Sequence, residues 1–550
     1  MRAVIHHWRI WNALNAQDPE AWFMAQLNKA VYAIAAMAIA SSVLTLLLTR
    51  HGVGVSPDST VYLDAAYQLS HGEGLRVWSA GGELTPLTHY PPLFSAVLAL
   101  ITRVGLTLNQ AARTLNAVLF GASVMLVGLA VLSYARNSFW LPIIGCVLTL
   151  IAGDVAIAHS YALTEPLFLV FSLISFLSLV QYWREGSWLW LIIAAVITGL
   201  SVLTRYVGVA NIVSSCLALL LIRAVSRRGH STIESRGTHR RLRAAILFGV
   251  IATAPAVGWI LRNHLSGGHS NDRQIVFHPI GAQHFVSMFS TVSQWLLLGK
   301  VLAPVRVVGF ALQLLVLAAV AVYALRRLPR ESEGDNLRLI WLLGLFAGIY
   351  LLVLIFTASF VDADTVFDSR SLLPVHVAVI IVAIFLARAA YLNDKSGFIK
   401  PGLILFVMVM IISHSWRLRE IVGRNWRDGQ GYASRSWTNS ASINVARNLE
   451  LDIRIYSNGY DPINYLTNKR AILIPEKTNH GTSRPNSDYD QELRMMREEI
   501  IANRAALIYF SNLGERTYLP SATELEEGLS LPSETLSDGT VFYSQHRSPP

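Results

Sequence analysis

TEPLFLVFSLISFLSLVQYWREGSWLWLIIAAVITGLSVLTRYVGVANIVSSCLALLLIR, residues 164–223, decides the fold class. Its apolar runs at 166–182, 187–204 and 206–222 each approach the roughly 20 residues that a helix needs to cross a bilayer. The stretch 187–222 is too long for one span, since a single helix of that length would extend about 54 Å, far beyond the hydrocarbon thickness. It divides at Arg205. Glu165 and Arg205 therefore lie in or beside membrane runs, where an ionisable group is costly enough to count as a functional-site candidate.

The rest of the chain agrees. Of 550 residues, 53% are hydrophobic and only 15% charged, and the mean hydropathy is +0.43. That composition belongs to a polytopic α-helical membrane protein. Further apolar runs at 30–49, 114–133, 139–158, 244–261, 307–325, 339–358, 371–387 and 401–414 bring the expected spans to about eleven. Orientation follows from the retention of Lys and Arg in cytoplasmic loops. The loop 223–243 holds seven Arg against the single Glu234. Arg326, Arg327, Arg330 and Arg338, then Arg388, Lys395 and Lys400, fall on the same side in an eleven-span chain.

The N-terminus (1–29) is then cytoplasmic, with Trp8, Trp11 and Trp22 in an interfacial helix, and the first span is an uncleaved anchor. Outside lie the loop 50–113, the segments 262–306 and 359–370, and the tail 415–550. The short apolar stretches 91–105 and 284–300 read as helices on or dipping into the outer surface. Positive-inside retention accounts for much of the net charge of +10, so no nucleic-acid partner is needed. Cys146 and Cys216 fall within spans and read as packing residues. No pair of matching halves is visible, which weighs against a repeat-built transporter.

In the first outer loop, SPDSTVYLDAAYQLSHGEGL (56–75) reads as a helix opened by Ser56 or Asp58, with Pro57 in its first turn and Gly72 and Gly74 beyond its end. Asp58 is either a cap or a site residue. HYPPL follows at 89–93, TEPLF at 164–168 and SRSLLP at 369–374. In this order, over residues 30–390, the chain resembles the GT-C class of integral-membrane glycosyltransferases, specifically bacterial relatives of the protein O-mannosyltransferases and of the lipid A aminoarabinose transferase. The resemblance implies an extracytoplasmic site on a bacterial inner membrane and a polyprenyl-phosphate sugar donor. It also implies an essential acid in the first outer loop, which maps to Asp58. The protein mannosyltransferases often have Asp-Glu there, whereas this chain has Asp58-Ser59.

Displacing a polyprenyl phosphate from an anomeric carbon needs a base for the acceptor hydroxyl and positive charge for the departing phosphate. Asp58 is the candidate base, attack from the opposite side predicting inversion, and Glu165 is the second catalytic candidate. Arg205 and Arg370 are the candidates for the phosphate, because a guanidinium presents a fixed fork of donors. Simpler readings exist: headgroup snorkelling for either arginine, pairing of Arg370 with Asp364 or Asp368, and helix-end preference for Glu165. His159, Asp154, Tyr62 and Asp368 are accessory candidates. Asp58, Glu165 and His159 could hold a divalent cation, as could the acidic set Asp362, Asp364 and Asp368, although no recognised ligand spacing is present. Tyr90, Pro91 and Pro92 read as an interfacial anchor, and His89 as a surface histidine.

The tail alternates strand-like runs at 453–458, 471–475 and 506–512 with helical patterns near 437–449 and 488–503, which predicts a soluble α/β domain. Ser457-Asn458 and Ser511-Asn512 end two of these strands, at positions suited either to ligand binding or to turns. Residues 476–488 read as a flexible loop. Two functions follow: transfer of sugar to a lipid, glycan or protein acceptor, or transport of a lipid or solute. The first expects the charges to meet at the outer face, and the second at mid-depth.

Overall fold

The computed structural model describes residues 19–544 apart from 136–137, 223–233, 268–274, 297–302, 328–333, 363–364, 468, 481, 483 and 515. The membrane part holds α1 (Pro19–Leu48), α2 (Pro57–Ser70), α3 (Leu93–Thr102), α4 (Leu108–Tyr134), α5 (Trp140–Ile151), α6 (Gly153–Ala158), α7 (Glu165–Glu185), α8 (Trp188–Thr204) and α9 (Val209–Leu221). It continues through α10 (Glu234–Gly267), α11 (Ala282–Leu296), α12 (Ala303–Arg327), α13 (Gly334–Phe360), α14 (Leu373–Leu392) and α15 (Ile399–Asp428). All eleven apolar runs are helical, and among the described residues seven helices are long and apolar enough to cross a membrane.

Small polar side chains join these helices. Ser175 and Thr198 hydroxyls meet at 2.6 Å between α7 and α8, and Asn211 of α9 donates to Ser172 at 2.8 Å and Ser201 at 3.0 Å. In an apolar layer such bonds supply specificity that oily packing lacks. Gly186 ends α7 in the left-handed conformation (φ 70°), which permits the sharp turn into α8. At the next turn, a Cβ on Gly208 would lie 2.9 Å from the Val202 backbone, so only glycine lets the chain fold back beside Arg205.

Several boundaries differ from the sequence reading. The first helix begins at Pro19 and takes in Trp22, while Trp8 and Trp11 lie outside the described residues. The run 139–158 is broken at Ala152, whose extended backbone separates α5 from α6. The last apolar run ends at 414, yet α15 continues to Asp428, supported by a Trp416 to Glu420 bond one turn apart, before Gly429 stops it. Residues 223–233 of the arginine-rich loop are outside the described set; Arg240 and Arg241 cap the carbonyls of Gly186 and Leu220. The stretches 91–105 and 284–300 do contain helices, α3 and α11.

The segment between α2 and α3 carries a small hairpin, β1 (Arg76–Trp78) and β2 (Leu84–Pro86). Beyond Asp428 come α16 (Arg435–Thr438), α17 (Ala441–Asn448), α18 (Tyr460–Leu466), α19 (Tyr489–Ile501) and α20 (Ala522–Leu529). They accompany β3 (Arg454–Ser457), β4 (Ala471–Leu473), β5 (Ala505–Phe510), β6 (Ser533–Leu536) and β7 (Gly539–Phe542). The sheet order is β4-β3-β5-β7-β6, parallel across the first three strands and antiparallel across the last three. This unit docks on the segment between α1 and α4: Tyr432 donates its backbone N–H to Val55 O at 2.9 Å, and Leu473 to Ala80 O at 2.9 Å. Asn458 bonds both ways with the Phe510 backbone and the Ser457 hydroxyl accepts from Gly459, so this Ser-Asn pair pins a turn. The 476–488 segment is held by backbone bonds from Lys477 to Tyr518 O and from Asn486 to Lys477 O.

Candidate active site

Ser56, not Asp58, caps α2, its hydroxyl accepting the Ser59 N–H. The Asp58 carboxylate is thereby left for long-range partners. Oδ1 accepts from the Tyr90 hydroxyl at 2.8 Å, and Oδ2 from Arg370 Nη2 at 2.8 Å. Arg370 also donates through Nε to Glu165 Oε1 at 3.1 Å, and Arg205 Nη1 approaches the same oxygen at 2.7 Å. Asp58, Arg370, Glu165 and Arg205 thus form one alternating array of two carboxylates and two guanidiniums. Glu165 is its buried centre, with its side chain 1% exposed, while Asp58 and Arg370 are each 33% exposed. All four stand at helix ends: Asp58 in the first turn of α2, Glu165 first in α7, Arg205 just after α8, and Arg370 just before α14.

The surroundings hold the array in place. Asp368 caps the loop before α14, Oδ1 accepting the N–H of Arg370 at 3.1 Å and of Ser371 at 2.8 Å, so it positions Arg370 through the backbone and not through a side-chain pair. Tyr350 donates to Ser371 O, and Ser287 and Thr291 of α11 donate to Phe367 O. Thr164 accepts from Arg205 Nη1 at 3.2 Å. Tyr62 packs edge-on against Tyr90 and Phe94 at ring separations of 5.1 and 5.6 Å. Burial, reinforced by the Asp58 charge, pushes the Tyr62 phenol well above its ordinary value. Burial alone would also raise the Asp58 carboxyl, but the Arg370 charge and the hydrogen bonds from Arg370 and Tyr90 hold it below the usual carboxylate range.

Two accessory candidates lie apart from the array. The His159 ring is stacked on Phe120 at 4.6 Å, with Nδ1 on Val155 O and Nε2 3.3 Å from the Ser123 hydroxyl, because α6 turns it into the bundle before the chain reaches Glu165. Asp154 pairs with His376 at 2.6 Å, beneath Trp295, in a second buried cluster. His159 therefore does not join Asp58 and Glu165, and Asp154 faces a different partner. Among the described residues no three His, Cys, Asp or Glu side chains gather to hold a metal ion, and Asp364 lies outside them. Asp58 and Glu165 share a guanidinium, so their facing oxygens do not fit a cation in this arrangement. Tyr90, which in sequence reads as an interfacial anchor before Pro91 and Pro92, stands with its hydroxyl on Asp58 beside the array.

Residues 85–261, which contain Tyr90, Glu165 and Arg205, match the family model described as dolichyl-phosphate-mannose-protein mannosyltransferase. Of solved structures, ArnT from Cupriavidus metallidurans bound to undecaprenyl phosphate superposes with a TM-score of 0.54 at 12% identity, over 96% of this chain and 98% of that one. The fold is that of the GT-C glycosyltransferases. The apo oligosaccharyltransferase of Archaeoglobus fulgidus shares the GT-C fold with a TM-score of 0.52 at 10% identity, over 87% of this chain and 69% of that one. The arabinofuranosyltransferase AftD from Mycobacteria does so with a TM-score of 0.50 at 12% identity, this chain covering 37% of its length. A search of curated proteins found no match. Within the GT-C fold, the family match spans the part of the bundle that supplies Tyr90, Glu165 and Arg205, whereas Asp58 and Arg370 come from outside it.

Proposed function

We propose that the protein is a membrane glycosyltransferase that moves a sugar from a polyprenyl-phosphate donor to an acceptor outside the cytoplasm of a bacterial cell. In this reading about eleven helices span the inner membrane and the α/β tail lies outside. The observation that carries it is the Asp58–Arg370–Glu165–Arg205 array, a candidate base bonded directly to a candidate phosphate ligand. Its place at helix ends, and not at mid-helix, favours transfer over transport.

The chemistry follows from the sharing of Arg370. With no donor, Asp58 is neutralised by this guanidinium and is a weak base. A phosphate entering beside Arg370 and Arg205 competes for the same N–H donors. As Arg370 turns toward it, Asp58 loses its strongest charge partner and gains basicity. The acceptor oxygen then forms its bond to the anomeric carbon, its proton passes to Asp58, and the bond from that carbon to the phosphate oxygen breaks with both electrons leaving on the polyprenyl phosphate. Attack opposite the leaving group inverts the anomeric centre. Glu165 holds the two arginines together throughout.

The test is transfer by purified protein in lipid, with radiolabelled polyprenyl-phosphate sugars and a membrane extract as acceptor source. Label should reach an acceptor with wild type and not with Asp58→Asn, with both proteins folded and inserted at the assay temperature. An Asp58→Asn variant as active as wild type removes Asp58 as the base, and no transfer from any donor removes the proposal.

A further inference from the structure

Behind α2, on the side away from the array, a cleft of about 430 Å³ opens between the outer loop and the tail. On a helix of 3.6 residues per turn, Thr60, Asp64 and Tyr67 lie roughly opposite Asp58 and Tyr62, so one helix carries the array on one face and this cleft on the other. The far wall is α18, with Tyr460, Asp461 and Tyr465, and Trp78 and Arg470 close the side.

The lining is selective. Four aromatic side chains line it, Tyr67, Trp78, Tyr460 and Tyr465, and Tyr67, backed by the His71 ring at 4.0 Å, is 46% exposed. The two carboxylates are held by fixed donors: Asp64 accepts from the Trp78 N–H at 2.7 Å and from Gln68 at 3.1 Å, and Asp461 pairs with Arg516 at 3.2 Å and accepts from Tyr432. Both Asp64 oxygens, each holding one donor, keep a lone pair for a further donor, as does Asp461 Oδ1, whereas Asp461 Oδ2 is filled by Tyr432 and Arg516. The Trp78 indole N–H is buried without a hydrogen-bond partner among the described residues, and Arg470 lies over the same ring at 4.7 Å. Two carboxylates against one lining guanidinium disfavour a phosphate. Aromatic faces with rigid acceptors and a spare donor suit a ring that is apolar on its faces and hydroxylated around its edge.

We infer that this cleft is a carbohydrate-binding subsite that takes a sugar ring bearing no phosphate. That the sugar is part of the acceptor rests on the glycosyltransferase reading; that it binds here does not. Its volume is within the roughly 300–1,000 Å³ of small-ligand sites.

The experiment is saturation-transfer NMR on the full chain in nanodiscs with methyl glycosides of mannose, glucose, galactose, N-acetylglucosamine and arabinose. At least one should bind saturably. Tyr67→Ala and Arg470→Ala, both at exposed positions, should weaken it about fivefold or more. Asp58→Asn should bind as wild type does, and inorganic phosphate should not compete. No saturable binding, binding unchanged in both cleft variants, binding lost in Asp58→Asn, or displacement by phosphate each overturns the proposal. Failure of the glycosyltransferase reading would appear separately, as absent transfer with glycoside binding intact.

Discussion

Replacing Glu165 by glutamine keeps the shape of the side chain and removes the one charge that faces both guanidiniums. Glu165 Oε1 is 2.7 Å from Arg205 Nη1 and 3.1 Å from Arg370 Nη2, in a side chain 1% exposed. At charge separations of about 4 Å and an effective dielectric near 20, each attraction is of order 4 kcal/mol. Desolvation offsets much of that in the intact array. Once the carboxylate is gone, the desolvation cost remains and the attraction does not, and stranding buried partners in this way typically costs about 3–5 kcal/mol. Glu165→Gln should therefore be destabilised by about 3–5 kcal/mol in detergent-solubilised unfolding, and should lose transfer. Adding Arg205→Met removes one stranded charge and leaves Arg370 on Asp58, so the double variant should regain at least about half of the lost stability but none of the activity. A single variant within about 1 kcal/mol of wild type, or a double variant no more stable than the single, would refute the view that Glu165 organises the array.

Tyr90→Phe removes the hydroxyl bonded to Asp58 Oδ1; we expect a stability loss of about 1 kcal/mol and a clear fall in transfer rate, read by thermal unfolding and initial rates, whereas a wholly interfacial role for Tyr90 would leave the rate unchanged. The pH dependence should separate free and donor-bound protein. The Asp58 carboxyl is depressed while Arg370 holds it, so the acid limb of kcat/KM should lie below that of kcat, where the donor has drawn Arg370 away; coincident limbs would contradict the sharing of Arg370. The same depression makes the folded protein gain stability from the Asp58 pair fully above the unfolded value near 3.9 and lose it as pH falls through the lower folded value, which pH-dependent unfolding can follow.

The members of the candidate array are conspicuous in the sequence for a physical reason: charge in an apolar run stands out. Arg205 interrupts a 36-residue apolar stretch and Glu165 opens another, so their cost alone marked them. Asp58 and Arg370 were marked by motif order instead. What was hidden is pairing at a distance. Asp154 stands out in the sequence, but nothing there points to His376, 222 residues away, as its partner. Tyr90 was assigned to the membrane surface because an aromatic before two prolines fits an interfacial anchor equally well. His159 was misplaced for the opposite reason, since nearness to Glu165 in sequence does not survive the turn between α6 and α7. In the tail, three strands are legible from apolar runs, but the β6–β7 hairpin is not, its turn being only Ser537-Asp538 before Gly539 opens β7.

The span of the array along the chain bears on how the protein is made. Arg370 reaches back 312 residues to Asp58 and 205 residues to Glu165. During synthesis, Glu165 and Arg205 can pair as soon as α7 and α8 are in place, but Asp58 must wait for the loop before α14. Until then the early bundle carries an unmatched carboxylate at its rim. Closure of the array is thus a late event in the assembly of the bundle, set by the order in which the chain emerges.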